Sequence, residues 1–208
     1  MSFKRDEILS ATKIANGGNF TQALNDLELC GFIRKYNGFS NKERNALYQL
    51  CDFYTLFYFS YLKKNRFDDE HFWTNIIESG QHGAWSGYSF EQVCLSHIKQ
   101  IKQKLGISGV LTKTAAWRSS DKENPAQIDL LIERNDNVIN LCEIKFSKDE
   151  FVIDKDYDKA LRNKRSAFKT ESNTRKTIHI TMVTTYGVKR NIYSGNIQSE
   201  VTLEDLFV

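Results

Sequence analysis

Apolar positions recur at helical spacing over residues 7–15 and again through Phe20, Leu24 and Leu27, with Asn16-Gly17-Gly18 between the two runs and Gly31 after the second. Spacing of three and four closed by glycine predicts two helices. Residues 32–36 and 46–51 alternate as strands do around an Asn37-Gly38 turn and a charged loop, which predicts a β-hairpin. Helix, helix and hairpin form a winged-helix pattern; from pattern alone the alternative is a small helical cap on a main domain. The run DFYTLFYFSYL, residues 52–62, then packs six aromatic residues (Phe53, Tyr54, Phe57, Tyr58, Phe59, Tyr61) into nine positions. Rings on nearly every side of a helix predict burial between two units rather than a surface stacking platform. Residues 63–70 and 80–87, polar and glycine-containing, read as the joint, which gives a winged-helix domain over 1–62 and a second domain over 63–208.

The second domain alternates differently. Periodicity predicts a helix over 88–105, strands over 110–117, 127–133 and 138–146, a basic helix over 157–168, a strand over 177–185, then a closing hairpin and a short TLEDLF segment. The order αβββαβ predicts an α/β fold with a mixed central sheet. Within it, QIDLLIERNDNVINLCEIKF places two strands around Asn135-Asp136-Asn137. A hairpin centred on Asp136 opposes residues whose numbers sum to about 272, so Asp129 faces Glu143 and Gln127 faces Lys145 on one side of the sheet. Ile128, Leu130, Ile132, Cys142 and Ile144 then form the other, apolar side.

Two carboxylates opposed across a hairpin repel, so a positive charge is expected between them. A hard divalent cation, Mg²⁺ or Mn²⁺, suits an all-oxygen site, and Lys145 adds a further positive charge. The opposing possibility, acids pointing to solvent, is disfavoured because Leu131 and Leu141 share their face. Glu91 lies at the edge of the apolar arc Phe90, Cys94, Ile98, Ile101, Leu105 on the helix over 88–105. It is therefore either an inward-leaning site carboxylate or a first-turn residue favoured by the helix dipole.

Composition changes this picture little. With 208 residues and 40% hydrophobic content the chain can bury a core, and no apolar run approaches the roughly 18 residues needed to span a bilayer. MSFKRDE lacks a signal-peptide pattern, so no membrane association and a cytoplasmic location are expected. Cys30, Cys51, Cys94 and Cys142 never form a C-x-x-C pair, which argues against a zinc knuckle or a disulfide framework. The net charge is only +3, but residues 155–176 hold eight basic against three acidic side chains. That excess is either a phosphate-facing patch, with Lys164 or Arg165 on the backbone of DNA, or a solvated helix face.

GYSFEQ, QID and EIK, set out as Glu91, Asp129 and Glu143-Ile144-Lys145, resemble the PD-(D/E)XK nuclease superfamily, and closely the nuclease-like domain (DUF234) at the C-terminus of archaeal-type ATPases. NGGNFTQALNDLELCGFI and LCDFYTLFYF look like the winged-helix region that precedes it. The resemblance covers nearly the whole chain; Ile128 stands where the named motif has proline. It implies a winged helix followed by a restriction-endonuclease-like domain, with Asp129 and Glu143 binding Mg²⁺ or Mn²⁺ and Glu91 assisting directly or through water. Lys145 would orient the attacking water and stabilise charge growing on the phosphate, and Gln127 could position the site. The implied activity is metal-dependent hydrolysis of DNA phosphodiesters; the rival is a non-catalytic DNA-binding or regulatory module. A third possibility gives the winged helix a protein partner through the mixed charges Lys42, Glu43 and Arg44. No G-x-x-x-x-G-K-[ST] loop is present, so an ATPase module is expected as a partner, either in cis, this chain being the C-terminal piece of a longer protein, or in trans.

Overall fold

The helix and strand signals converge on two sheets, one in each of two compact units. The computed structural model describes residues 2–36, 38–39, 46–63, 69–77, 79–121 and 125–208. Asn37 of the expected turn, the charged trio Lys42, Glu43 and Arg44, and most of the polar stretch after residue 63 lie outside the described residues. The first unit extends to Trp85 and the second runs from Ser86 to Val208.

In the first unit, β1 (Phe3–Lys4) leads into α1 (Arg5–Thr12), followed by α2 (Gly18–Leu29), β2 (Ile33–Tyr36) and β3 (Leu47–Leu50). Lys13 in the left-handed region ends α1, and Phe20 and Leu24 are the buried side of α2. β3 pairs antiparallel with both β1 and β2, so the predicted hairpin acquires a third, two-residue strand that alternation could not reveal. Gln49, buried on β3, accepts a 2.9 Å hydrogen bond from the Tyr36 hydroxyl.

α3 (Phe53–Phe57) is capped by Asp52, whose carboxylate accepts from the Thr55 amide, and continues as a π-helical turn over Tyr58–Leu62. The expectation that this aromatic helix is buried on all sides is corrected here. Phe53, Tyr54, Tyr58 and Phe59 are 39–68% exposed, whereas Tyr61 is 1% exposed. Phe57 and Tyr61, four apart on one face, meet Trp73 and Trp85 at ring separations of 5.4–5.9 Å. Trp73 lies on α4 (Phe72–Ile76) and Trp85 on α5 (Gly80–Ser96). These rings tie residues 72–85 to the first unit, whereas the sequence placed the boundary at 62.

The second unit takes the rest of α5, then α6 (Ile98–Lys104), β4 (Thr112–Arg118), β5 (Gln127–Arg134), β6 (Val138–Lys145), α7 (Lys155–Ser172), β7 (Thr177–Thr184) and β8 (Ser199–Thr202). This is an α/β unit whose five-stranded mixed sheet has the order β4-β5-β6-β7-β8. β4, β5 and β6 form an antiparallel meander, while β7 joins β6, and β8 joins β7, in parallel. The expected closing hairpin is therefore corrected. A 14-residue connection, 185–198, carries the chain back, as parallel pairing requires.

Both faces of the sheet are covered, which is why its central strands are apolar at odd and even positions alike. Odd positions of β6 share a face with Ile180 and Met182 of β7, and these pack with Leu161 of α7. On the even face Asn140 donates to Thr181 at 3.0 Å, and the buried Cys142 thiol adjoins the buried Cys94 thiol of α5. Among the described residues no helix is long and apolar enough to cross a membrane.

Candidate active site

The hairpin register is the first element of the site. Leu130 pairs with Cys142, Leu131 with Leu141, Ile132 with Asn140 and Glu133 with Ile139, each pair summing to 272. The paired register ends there, because β5 carries a bulge at residues 129–130: Ala115 of β4 pairs with Leu131 but Trp117 with Ile128, so Asp129 and Glu143 lie on adjoining strands just beyond the paired stretch. Glu143 and Lys145 project to the α7 face. Ile128, however, pairs with Trp117, whose ring meets Phe168 of α7, so the alternation that would bring Gln127 and Asp129 to that face is interrupted. The turn that sets the register has Asn137 in the left-handed region (φ 65°), a conformation asparagine tolerates.

Glu143 is the centre of a polar cluster on an otherwise apolar sheet face, and it is 7% exposed. Its Oε1 accepts from the Tyr157 hydroxyl at 3.0 Å and lies 3.4 Å from Lys145 Nζ. Its Oε2 accepts from Lys164 Nζ at 2.5 Å. Lys145 Nζ also lies 5.9 Å from the Tyr157 ring centroid. Tyr157 and Lys164 reach Glu143 because they are two turns apart on α7, on one side of that helix. Asp154 fixes where that side begins: its carboxylate caps α7 by accepting from the Tyr157 amide at 2.8 Å. Burial, and then the adjoining Glu143 carboxylate, push the Tyr157 phenol far above its ordinary pKa, so it stays protonated and donates.

Asp129 is half-buried and accepts a hydrogen bond from the Gln127 amide two residues away on the same strand. Gln127 thus holds Asp129. Glu91 is half-buried on α5, the helix whose Cys94 adjoins Cys142 on the even face of the sheet. Among the described residues no group of three or more histidine, cysteine, aspartate or glutamate side chains is arranged to hold a metal ion, so Glu91 does not complete a triad with Asp129 and Glu143.

Lys164 and Arg165 are separated by the helix. Lys164 is bound to Glu143, whereas Arg165 lines a groove with Arg162, Lys169, Arg175 and Lys176. Tyr157 was not singled out in the sequence. The signal for it was the series 157, 161, 164, 168 on the inward side of α7, which pairs two polar residues with the buried Leu161 and Phe168.

The donor types fit a hard cation in chemistry: carboxylates on two adjoining strands, Asp129 and Glu143. In this structure ammonium groups supply the positive charge at Glu143. The cluster lies at the C-terminal end of β6, where the sheet changes from antiparallel to parallel neighbours. In open α/β sheets ligands commonly bind beyond the carboxyl ends of the strands. Comparison of the chain with protein-family models, with curated proteins and with solved structures yields no match.

Proposed function

We propose that the second unit is a restriction-endonuclease-like domain that hydrolyses DNA phosphodiesters with Mg²⁺ or Mn²⁺. The observation that carries this reading is Glu143 and Lys145, two residues apart on one face at the C-terminal end of β6, with Asp129 on the adjoining strand. Asp129 and Glu143 would hold the cation, with Glu91 assisting through water. The bound cation supplies a water of lowered pKa and neutralises charge on the phosphate. Lys145, 41% exposed, faces solvent enough to meet a phosphate oxygen and to stabilise charge developing on it. Gln127 keeps the Asp129 carboxylate oriented, and Tyr157 does the same for Glu143.

The first unit would serve as a winged helix that positions this site on DNA, with an ATPase module in cis or trans as partner. The order helix, helix, β-hairpin supports that reading. A second reading, a non-catalytic DNA-binding or regulatory module, is favoured by one observation: both Glu143 oxygens are already engaged by ammonium groups.

Plasmid and single-stranded DNA incubated with the chain in Mg²⁺, in Mn²⁺ and in EDTA separate the two. Cleavage that needs the metal and is lost in Glu143→Ala supports hydrolysis. Binding without cleavage by the wild-type chain, retained in Glu143→Ala, supports the module.

A further inference from the structure

The flank of α7 turned away from Glu143 carries its own charge pattern. Arg162, Arg165 and Lys169 follow one another at spacings of three and four, so they share one side of the helix. The buried stripe of Leu161 and Phe168 separates them from Lys164 and from Glu171, which is fixed to Ser119 and Ser120 beyond the end of β4. Asn173, in the left-handed region (φ 50°), ends α7 and turns the chain into β7. Arg175 and Lys176 thereby come back beside Arg162, Arg165 and Lys169. The result is an open groove of about 450 Å³ lined by five cations and by no carboxylate.

Two of the five are already neutralised. Arg162 pairs with the buried Asp158, and Lys176 pairs with Glu133 at 2.8 Å while donating to the Arg134 carbonyl. Arg165, Lys169 and Arg175 have no ion pair among the described residues. The α7 dipole accounts for cations only within about one turn of its C-terminus, which covers Lys169 but not Arg165. Arginine predominates, and its planar guanidinium matches phosphate oxygens in pairs. Three cations without ion pairs among the described residues, spread over α7 and the segment before β7, suit a chain of phosphates rather than one small anion.

We propose that this groove binds the phosphodiester backbone of a nucleic acid through Arg165, Lys169 and Arg175, on the flank of α7 opposite to Glu143. It is a sequence-independent contact, separate from any chemistry at Glu143. A strand held there is anchored away from the site of cleavage, so affinity and turnover are carried by different side chains.

The test is titration of the whole chain with a fluorescent 20-base-pair duplex across a range of KCl concentrations, in EDTA so that no cleavage intervenes. Arg165→Gln/Lys169→Gln/Arg175→Gln should weaken binding at least about ten-fold at 0.1 M KCl and lower the salt slope by about 0.9 for each lost phosphate contact. Single Lys169→Gln and Arg175→Gln changes, both at exposed positions, should each remove about one third of that effect and keep the test valid if the triple variant does not fold. An unchanged slope overturns the proposal. So does equal competition by inorganic tripolyphosphate at the same phosphate concentration, which would mark a site for small polyphosphates. Because cleavage is not read, failure of the groove leaves the hydrolytic reading standing, and loss of hydrolysis in Glu143→Ala leaves the groove standing.

Discussion

Lys164→Met tests how Glu143 is held, because it removes the charge and keeps the apolar stem that packs along α7. In the wild-type chain the Lys164 ammonium lies 2.5 Å from Oε2 of a carboxylate whose side chain is 8% exposed, while Lys164 itself is 22% exposed. Breaking a fully buried pair costs about 3–5 kcal/mol and an exposed one about 0–1 kcal/mol. Here Lys145 and Tyr157 remain on the other oxygen, so the loss should be about 1–3 kcal/mol, or roughly 4–12 °C in the melting temperature of a unit this size. A divalent cation should reverse the effect. With the competing ammonium gone, Glu143 offers a free oxygen, and saturation to about 100 times Kd adds about 2.7 kcal/mol. The expected result in differential scanning calorimetry is a lower melting temperature in EDTA and a larger Mn²⁺-induced rise for Lys164→Met than for the wild type. A variant as stable as the wild type in EDTA, or one with no greater response to Mn²⁺, would refute the view that Lys164 stands where a cation binds.

Lys145→Ala should keep Mn²⁺ binding by calorimetry while cleavage falls about 10²-fold, the scale of losing one charge stabiliser, and Glu143→Ala should lose both. Cleavage at the wild-type rate by Lys145→Ala would remove it from the chemistry. A thiol reagent at pH 8 should label exposed Cys30 quickly and half-buried Cys51 more slowly; Cys142, whose pKa burial pushes up to about 12, and buried Cys94 should react only in denaturant. Four equally fast thiols would contradict the packing of α5 on β6. Asp154→Ala removes the cap of α7 and should cost about 1 kcal/mol in urea denaturation. An unchanged midpoint would mean that the first turn of α7 is held by Tyr157 and Lys164 alone.

The sequence revealed those parts of the fold that short-range rules govern. The Asn135-Asp136-Asn137 turn sufficed for the register of β5 and β6 from Leu130 to Glu133, because in a hairpin the turn and its loop length fix which residues pair. Gly31, in the left-handed region after α2, and the meander followed by α7 were legible for the same local reason, whereas α1 stops at Lys13, ahead of Asn16-Gly17-Gly18, and Gly18 opens α2. The aromatic helix was not. Its composition suggested burial, but which rings enter the nest around Tyr61 depends on where Trp73 and Trp85 arrive, and neither has a periodic relation to it. The direction of β8 was equally hidden, since residues 185–198 carry only a three-residue 3-10 turn, Ser194–Asn196, too short to announce a crossover.

At the site itself, strand alternation placed Glu143 and Lys145 on one face, but it could not reveal the bulge of β5 at residues 129–130, which interrupts the rule before Asp129 and Gln127, and it said nothing of what covers that face. Lys164 and Arg165 are adjacent in sequence and equal in charge, and from composition either serves as a phosphate contact. A helix turns by about 100° per residue, so neighbours cannot both follow the line toward the sheet. Tyr157, Leu161, Lys164 and Phe168 take that line, and Lys164 becomes the counter-ion of a buried carboxylate. Arg165, one step round, lies on the other side of the buried stripe and joins Arg162 and Lys169. The charge excess between residues 155 and 176 is therefore two features. One lysine is held at Glu143, and three cations without ion pairs among the described residues remain in the groove, where a substitution changes affinity for a polyanion without disturbing Glu143.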